Sequence, residues 1–202
     1  MDCSQLVESL IALVGADKVS DELSDIEEHS IDKWLVGYPP DAVVFAETTE
    51  DVVAVMKFSN QEGVPVTTRG SGVGYVGGAV PVKGGIVLSV ARMDSIKEIN
   101  VEDGVAIVGP GLITGTLQDA VRDLGWFYPP DPASLRECSI GGNVATNAGG
   151  PRCLKYGVTR NYVLGLEVVL ADGTLARLGG RCHKNKTGFD LIGMFVGSEG
   201  LL

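Results

Sequence analysis

Apolar residues recur at Leu6, Leu10, Leu13 and Val14 in SQLVESLIALVG, the spacing of one helix face, and Gly15 closes the run. An acidic stretch from Asp17 to Asp32 follows, and Pro39-Pro40 marks a turn before a short strand, Ala42 to Ala46. In TTEDVVAVMKFSNQEG, Val52, Val55, Met56 and Ser59 share one helical side, Thr48 with Asp51 makes a capping box, and Gly63 stops the helix. VPVTTR and GGIVLSV read as strands, so the helix belongs to a β-α-β unit whose second strand runs into a glycine loop. GVAIVGPG predicts a further strand ending at Pro110-Gly111. TGTLQDAVRDLG predicts a helix with Leu117, Ala120, Val121 and Leu124 on one face and Gly125 as its stop. WFYPPDPASLRECSIGGNVATNAGG has neither period and reads as one long loop, a kind that is usually functional. YVLGLEVVLADGTLARLG reads as a hairpin turning at Asp172-Gly173. The final FVGSEGLL reads as the start of a strand, and the sequence is expected to be an N-terminal fragment.

Composition sharpens this picture at glycine. There are 28 glycines in 202 residues, about twice the ordinary share of roughly 7%. They cluster between Gly63 and Gly85, Gly104 and Gly115, Gly141 and Gly157, and Gly188 and Gly200, a distribution that suits ligand loops as well as tight turns. A net charge of −10 argues against nucleic acid, whose binding rests on phosphate neutralisation by Lys and Arg. Cys3, Cys138, Cys153 and Cys182 form no Cys-x-x-Cys pair and are expected as buried small hydrophobes. His29 and His183 have no ligand spacing, so each is expected to be exposed or capping, and no metal site is expected. The opening residues carry Asp2 and Glu8 where a leader wants cations, and no apolar run approaches the ~18 residues of a membrane span. A reduced, cytoplasmic protein is expected, with any membrane association peripheral and through a partner.

The loop TTRGSGVGYVGGAVP packs Gly70, Gly72, Gly74, Gly77 and Gly78 into a short stretch. Gly72, Gly74 and Gly77 satisfy G-x-G-x-x-G, but AVPVKGGIVLSV follows where a dinucleotide-binding Rossmann unit needs a helix. No Gly-Lys-Ser/Thr triplet and no G-x-S-x-G occurs, which excludes a P-loop and a serine-hydrolase elbow. Two readings remain: a glycine-rich turn between packed strands, or a strand-loop-strand concavity whose backbone N–H groups hold an anion. In the second, Gly70, Gly72 and Gly74 provide backbone freedom, Ser71 a hydroxyl, and Arg69 either charge or an anchor for the loop. SIGGNVATNAGG repeats this chemistry, with Gly141-Gly142, Gly149-Gly150 and the amides Asn143 and Asn147. Before it, Pro129, Pro130 and Pro132 make a stiff wall around Asp131, with Ser134 nearby. Two such loops suit one long ligand with a pyrophosphate in the middle and a polar ring at an end.

Three segments carry a resemblance: PDAVVFAETTEDVVAVMKFSNQEGVPVTTRGSGVGYVGGAVP, YPPDPASLRECSIGGNVATNAGGPRCLKYGVTRNYVLGLEVVLADG and KTGFDLIGMFVGSEG. They resemble the FAD-linked oxidases of the vanillyl-alcohol oxidase/p-cresol methylhydroxylase type. The nearest branch holds the glycolate oxidase FAD-binding subunit and the D-lactate and D-2-hydroxyglutarate dehydrogenases. The resemblance implies an α+β fold of two α/β subdomains with FAD between them and the substrate cap domain absent. A helical segment at residues 1–37 would precede the FAD-binding domain at 38–202, with subdomains at about 38–96 and 97–202. By the same analogy Arg69, Gly70, Ser71, Gly72, Val73 and Gly74 wrap the pyrophosphate through main-chain N–H groups. Pro130, Asp131 and Ser134 line the path to the flavin, Ser139, Ile140, Gly141, Gly142 and Asn143 approach it, Gly149 and Gly150 stand behind, and Val168 meets the adenine. The implied activity is FAD-dependent oxidation of a small 2-hydroxy acid, such as glycolate or D-lactate, to the 2-oxo acid. The alternatives are a non-catalytic FAD-binding subunit of a larger oxidase complex and a nucleotide-binding protein without redox function. The electron acceptor, a partner subunit or another molecule, is not identified by the sequence. Val73 stands where relatives have Thr or a flavin-tethering His, so the FAD is expected to be non-covalent. Ala46 replaces a usual Pro and Phe189 a usual Tyr. The family's catalytic residues follow the segment present, so none is assigned and residues 1–202 alone are expected to be inactive.

Overall fold

The computed structural model describes residues 2–202. The chain divides into two compact units, one of residues up to Met93 with 169–175, the other of 94–168 with 176–202.

The first unit holds the β-α-β pattern. Helix α1 (Cys3–Val14) begins with a capping box between Asp2 and Gln5 and ends at Gly15. Leu6 and Leu10 enter the core, whereas Leu13, grouped with them by spacing, is exposed. The acidic stretch that follows forms β1 (Val19–Ser20) and α2 (Leu23–His29). Then come β2 (Ala42–Phe45), α3 (Thr49–Glu62), β3 (Val66–Arg69) and β4 (Ile86–Ser89). The sheet order is β1-β2-β4-β3, with β4 parallel to both neighbours and β1 antiparallel to β2. All four residues of β4 are buried, as a strand covered on both faces requires, and its apolar run Ile86-Val87-Leu88 meets that demand. Ala42, Val44, Val55, Ile86 and Leu88 make the centre of the core with Leu6 and Leu10.

Helix α3 begins as its sequence predicts. The Thr48 side chain accepts from the Asp51 N–H, Asp51 accepts from the Thr48 N–H in return, and Gly63 takes the left-handed conformation at the stop. Asp51 also accepts from the Glu47 N–H and from Lys18 at 2.9 Å. Burial pushes the Asp51 carboxyl up, but these donors outweigh it and hold the group below its ordinary value. Ala46 donates its N–H to the Ser89 carbonyl at 2.9 Å, a bond a proline at this position could not make.

His29 departs from expectation. It is buried, edge-on to Phe45 at 5.3 Å between centroids, with Nδ1 2.9 Å from the Asp25 carbonyl. His183 is exposed. Of the cysteines only Cys138 is buried; Cys3, Cys153 and Cys182 are exposed, against the expectation of burial.

The second unit contains the antiparallel pair β5 (Ile96–Asn100) and β6 (Val105–Val108), then α4 (Thr114–Arg122). Strand β5 was not legible in SIKEIN, which mixes Lys97 and Glu98 with the apolar positions and carries a register irregularity between Ile96 and Glu98. Leu112, Leu117 and Val121 form the core with Ile96, Ile99, Ala106, Val108, Tyr128 and Ile140 around them; Leu124 stays exposed. The stretch read as one loop contains a helix, α5 (Ile140–Thr146), followed by the short α6 (Cys153–Tyr156). Strands β7 (Gly165–Val169) and β8 (Leu175–Gly179) form the hairpin, with Gly173 at positive φ in its turn. After α7 (Leu191–Phe195), residues 196–202 form turns and irregular chain rather than a strand. They run against α5 instead, with the Gly197 and Glu199 N–H groups each donating at 2.9 Å to the Val144 and Ala145 carbonyls.

Candidate functional site

The glycine loop leaves the carboxyl end of β3, the end at which parallel α/β sheets bind ligands. Among the described residues, no backbone N–H from Gly70 to Val76 donates to another group of the chain. Such a run of unpaired donors is what an anion requires and what packed structure avoids. No helix follows; turns lead to β4. Gly70, Ser71, Gly72 and Val73 are half-buried and Gly74 is exposed. At Gly74 the nearest atom to an added Cβ would be Asp32 Oδ2 at 3.7 Å, and at Gly78 nothing lies within 4 Å, so the loop is open there.

Gly72 has a different reason for being glycine. Its φ is +65°, and an added Cβ would fall on the Arg69 guanidinium. That guanidinium is buried and committed to the chain. Nη1 donates to the Ile31 carbonyl at 2.6 Å and Nη2 to the Glu28 carbonyl at 3.2 Å, while Ala79 O lies 3.5 Å from Nη1. Burial lowers its pKa, and the nearby Glu28 and Asp32 carboxylates work against that shift. Of the two roles open to Arg69 in the sequence, the side chain takes that of anchor.

The second candidate loop is built around the start of α5. Ser139 caps the helix through Oγ, which accepts from the Gly142 N–H. The Ile140 N–H donates to Leu112 O and the Gly141 N–H to Pro110 O, both at 2.8 Å. A Cβ on Gly141 would stand 2.7 Å from Pro110 Cβ and 2.9 Å from Pro110 O, so close packing dictates this glycine. Gly142 is less confined, with Ser139 Oγ 3.2 Å from an added Cβ. Asn143 is buried, and its Nδ2 donates to Thr114 Oγ1 at 2.6 Å. Thr114 Oγ1 donates in turn to Cys138 O at 3.2 Å. Asn147 holds the left-handed conformation at the helix end and accepts from the Arg160 N–H at 2.9 Å. The amide donor of Asn143 and the amide oxygen of Asn147 therefore order this loop internally.

The proline wall is also tied down. The Pro130 carbonyl is buried and accepts from Gln118 Nε2 at 2.7 Å. Asp131 pairs with Arg152 Nε at 3.1 Å and accepts the Arg152 N–H at 3.2 Å. A Cβ on Gly150 would collide with the Asp131 main chain, whereas Gly149 would make only ordinary contacts. The Ser134 carbonyl accepts from the Glu137 and Cys138 N–H groups. Val168 lies in β7, partly buried. Burial pushes the Tyr128 phenol up to about 12, so it stays neutral at ordinary pH. The sequence reading missed Asp32, Thr114 and Arg152, which hold these loops through partners distant in sequence.

The loop of unpaired N–H groups can hold an anion, and comparison defines which class of protein carries it. The family model described as an FAD binding domain matches residues 40–179, so the chain belongs to that family. It is 48% identical over 163 residues to the glycolate oxidase subunit GlcD of Bacillus subtilis, covering 81% of this chain and 35% of that protein. It is 47% identical over 160 residues to a D-lactate dehydrogenase of Archaeoglobus fulgidus, covering 79% of this chain and 36% of the relative. A crystal structure of p-cresol methylhydroxylase with substrate bound superimposes with a TM-score of 0.79 at 29% identity, over 96% of this chain and 40% of the other. The chain thus spans little more than a third of the length of these curated relatives. Among the described residues no helix is long and apolar enough to cross a membrane.

Proposed function

We propose that this chain binds FAD non-covalently and forms the cofactor-binding part of an oxidoreductase that converts a small 2-hydroxy acid to the 2-oxo acid. The observation that carries the reading is the unpaired N–H run from Gly70 to Val76 in a chain of the FAD binding domain family. Relatives named for glycolate and D-lactate support the substrate class. Bound FAD supplies the acceptor for a hydride equivalent from the hydroxyl-bearing carbon; the protein supplies binding and orientation. The main chain of Arg69–Gly74 holds the pyrophosphate. The loops at Pro130–Ser134, Ser139–Asn143 and Gly149-Gly150, with Val168, complete the cofactor contacts. The Arg69 side chain acts on the first loop rather than on the ligand. The name of the Bacillus relative, a subunit, favours a second reading in which this chain serves as the FAD-binding subunit of a larger oxidase assembly.

The test is anaerobic addition of glycolate or D-lactate to the full-length FAD-loaded protein. Bleaching of the visible flavin band is expected, with one 2-oxo acid formed per flavin reduced. A stably yellow protein unaffected by either acid, or by D-2-hydroxyglutarate, would leave the non-catalytic subunit as the better reading.

The attachment of the flavin is tested separately. Val73 offers no nucleophile in the first loop. Cys153 is exposed, and its Sγ lies 3.5 Å from where a Cβ on Gly149 would stand, so it is the thiol to check. Acid precipitation is expected to leave all the flavin in the supernatant. Flavin fluorescence in the washed pellet, lost in Cys153→Ser, would reveal a thioether instead.

A further inference from the structure

We propose that Asp32 is a positioning residue for the cofactor loop, and that the segment Glu28–Trp34, which precedes the residues matched by the family, is a working part of the FAD site. This rests on the reading of residues 69–76 as the pyrophosphate loop.

Asp32 is buried, with 4% of its surface exposed, although it is a carboxylate in a strongly acidic protein. Both oxygens are used. Oδ1 accepts the Trp34 N–H at 2.7 Å and Oδ2 accepts the Gly77 N–H at 2.8 Å. The next residue continues the attachment, its Lys33 N–H donating to the Gly74 carbonyl at 2.9 Å. The Trp34 ring closes over the same place, since a Cβ on Gly77 would lie 3.4 Å from Trp34 Cε3. At the other end of the loop, Arg69 reaches the Ile31 and Glu28 carbonyls. One short segment therefore grips the loop at Arg69, Gly74 and Gly77.

The grip falls beside the open donors. Gly74 and Gly77 are held through a carbonyl and an N–H, while the N–H groups from Gly70 to Val76 stay unpaired. A free loop of this glycine content would lose much backbone entropy on ordering around a ligand. Fixing it beforehand removes part of that cost from binding. A buried carboxylate suits the task because hydrogen bonds to a charged acceptor are stronger than neutral ones. Its negative charge is offset by the two N–H donors and by the nearby Arg69 cation.

Asp32→Asn keeps the shape and replaces one acceptor oxygen with an amide NH2, which cannot accept from Gly77 or Trp34. Hydrogen exchange of the FAD-free protein should then quicken about ten-fold at Gly77 and its neighbours, while amides in α3 and β4 keep their wild-type rates. The dissociation constant for FAD should rise about ten-fold, and that for ADP, which carries the pyrophosphate without the flavin, by a similar factor. Asp32→Glu, which keeps a carboxylate, should recover part of both effects. Unchanged exchange at Gly77 together with unchanged FAD affinity in Asp32→Asn overturns the proposal. Wild-type protein that binds neither FAD nor ADP overturns the cofactor reading instead, a separate outcome. If both variants fail to fold, the wild-type exchange pattern decides: Gly77 protected relative to Tyr75 and Val76 without FAD supports the clamp, and equal fast exchange refutes it.

Discussion

Gly72→Val should give a folded protein that purifies colourless and does not take up added FAD. Two costs meet at this residue. At φ +65° a β-branched side chain is strained by roughly 1–3 kcal/mol. The added Cβ also falls on the Arg69 guanidinium. An arginine tip usually swings aside easily, but this one is buried and bonded to Ile31 O at 2.6 Å and Glu28 O at 3.2 Å. Displacing it takes both hydrogen bonds from a buried guanidinium, a loss of about 1–3 kcal/mol. The loop is the cheaper element to move, so its N–H groups lose their alignment. Gly78→Ala is the control. It has open space around it and no positive φ, and its stability and FAD affinity should stay within about 0.5 kcal/mol of wild type. FAD titration followed by flavin fluorescence reads both variants. A yellow Gly72→Val protein of wild-type affinity would falsify the assignment of this loop.

The second large effect is expected at Gly150. An alanine here puts its methyl group into the Asp131 main chain rather than into a movable side chain. Relief would require the opposing segment to retreat. That segment is stiffened by Pro129, Pro130 and Pro132, and held by the Pro130 carbonyl bond to Gln118 and the Asp131–Arg152 pair. Overpacking against a rigid wall typically costs about 1–3 kcal/mol, and this site belongs at the upper end. Gly150→Ala should lower the thermal midpoint by several degrees and weaken FAD binding, whereas Gly149→Ala should change the midpoint little because its contacts within the chain would be about 3.5 Å. Equal midpoints for the two alanine variants would show that the wall yields.

Much of the first unit was legible in the sequence because its signals are local. The Thr48–Asp51 capping box, the Gly63 stop and the apolar run of β4 each depend on residues close along the chain, and each appears as read. The two glycine-rich stretches were likewise visible as unusual backbone. Helix α5 was hidden because its first turn, Ile140-Gly141-Gly142-Asn143, has poor helix formers. It forms because Ser139 caps it and the Leu112 and Pro110 carbonyls take its leading N–H groups. Strand β5 was hidden because pairing with β6, not alternation, sustains it.

Sequence by itself determined where the backbone had to be free, since glycine, proline and capping residues act on their own φ, ψ and nearest neighbours. Tertiary structure alone decided what each freedom serves. Gly72 makes room for a buried arginine, Gly141 for Pro110 and Gly150 for Asp131, while Gly74 would make only an ordinary contact with Asp32 and Gly78 faces open space. Sequence could not separate these cases, because the atom that a Cβ would meet belongs to a different residue whose position is set by packing. The same holds for Asp32, an ordinary member of an acidic stretch until the fold buries its carboxylate 2.8 Å from the Gly77 N–H.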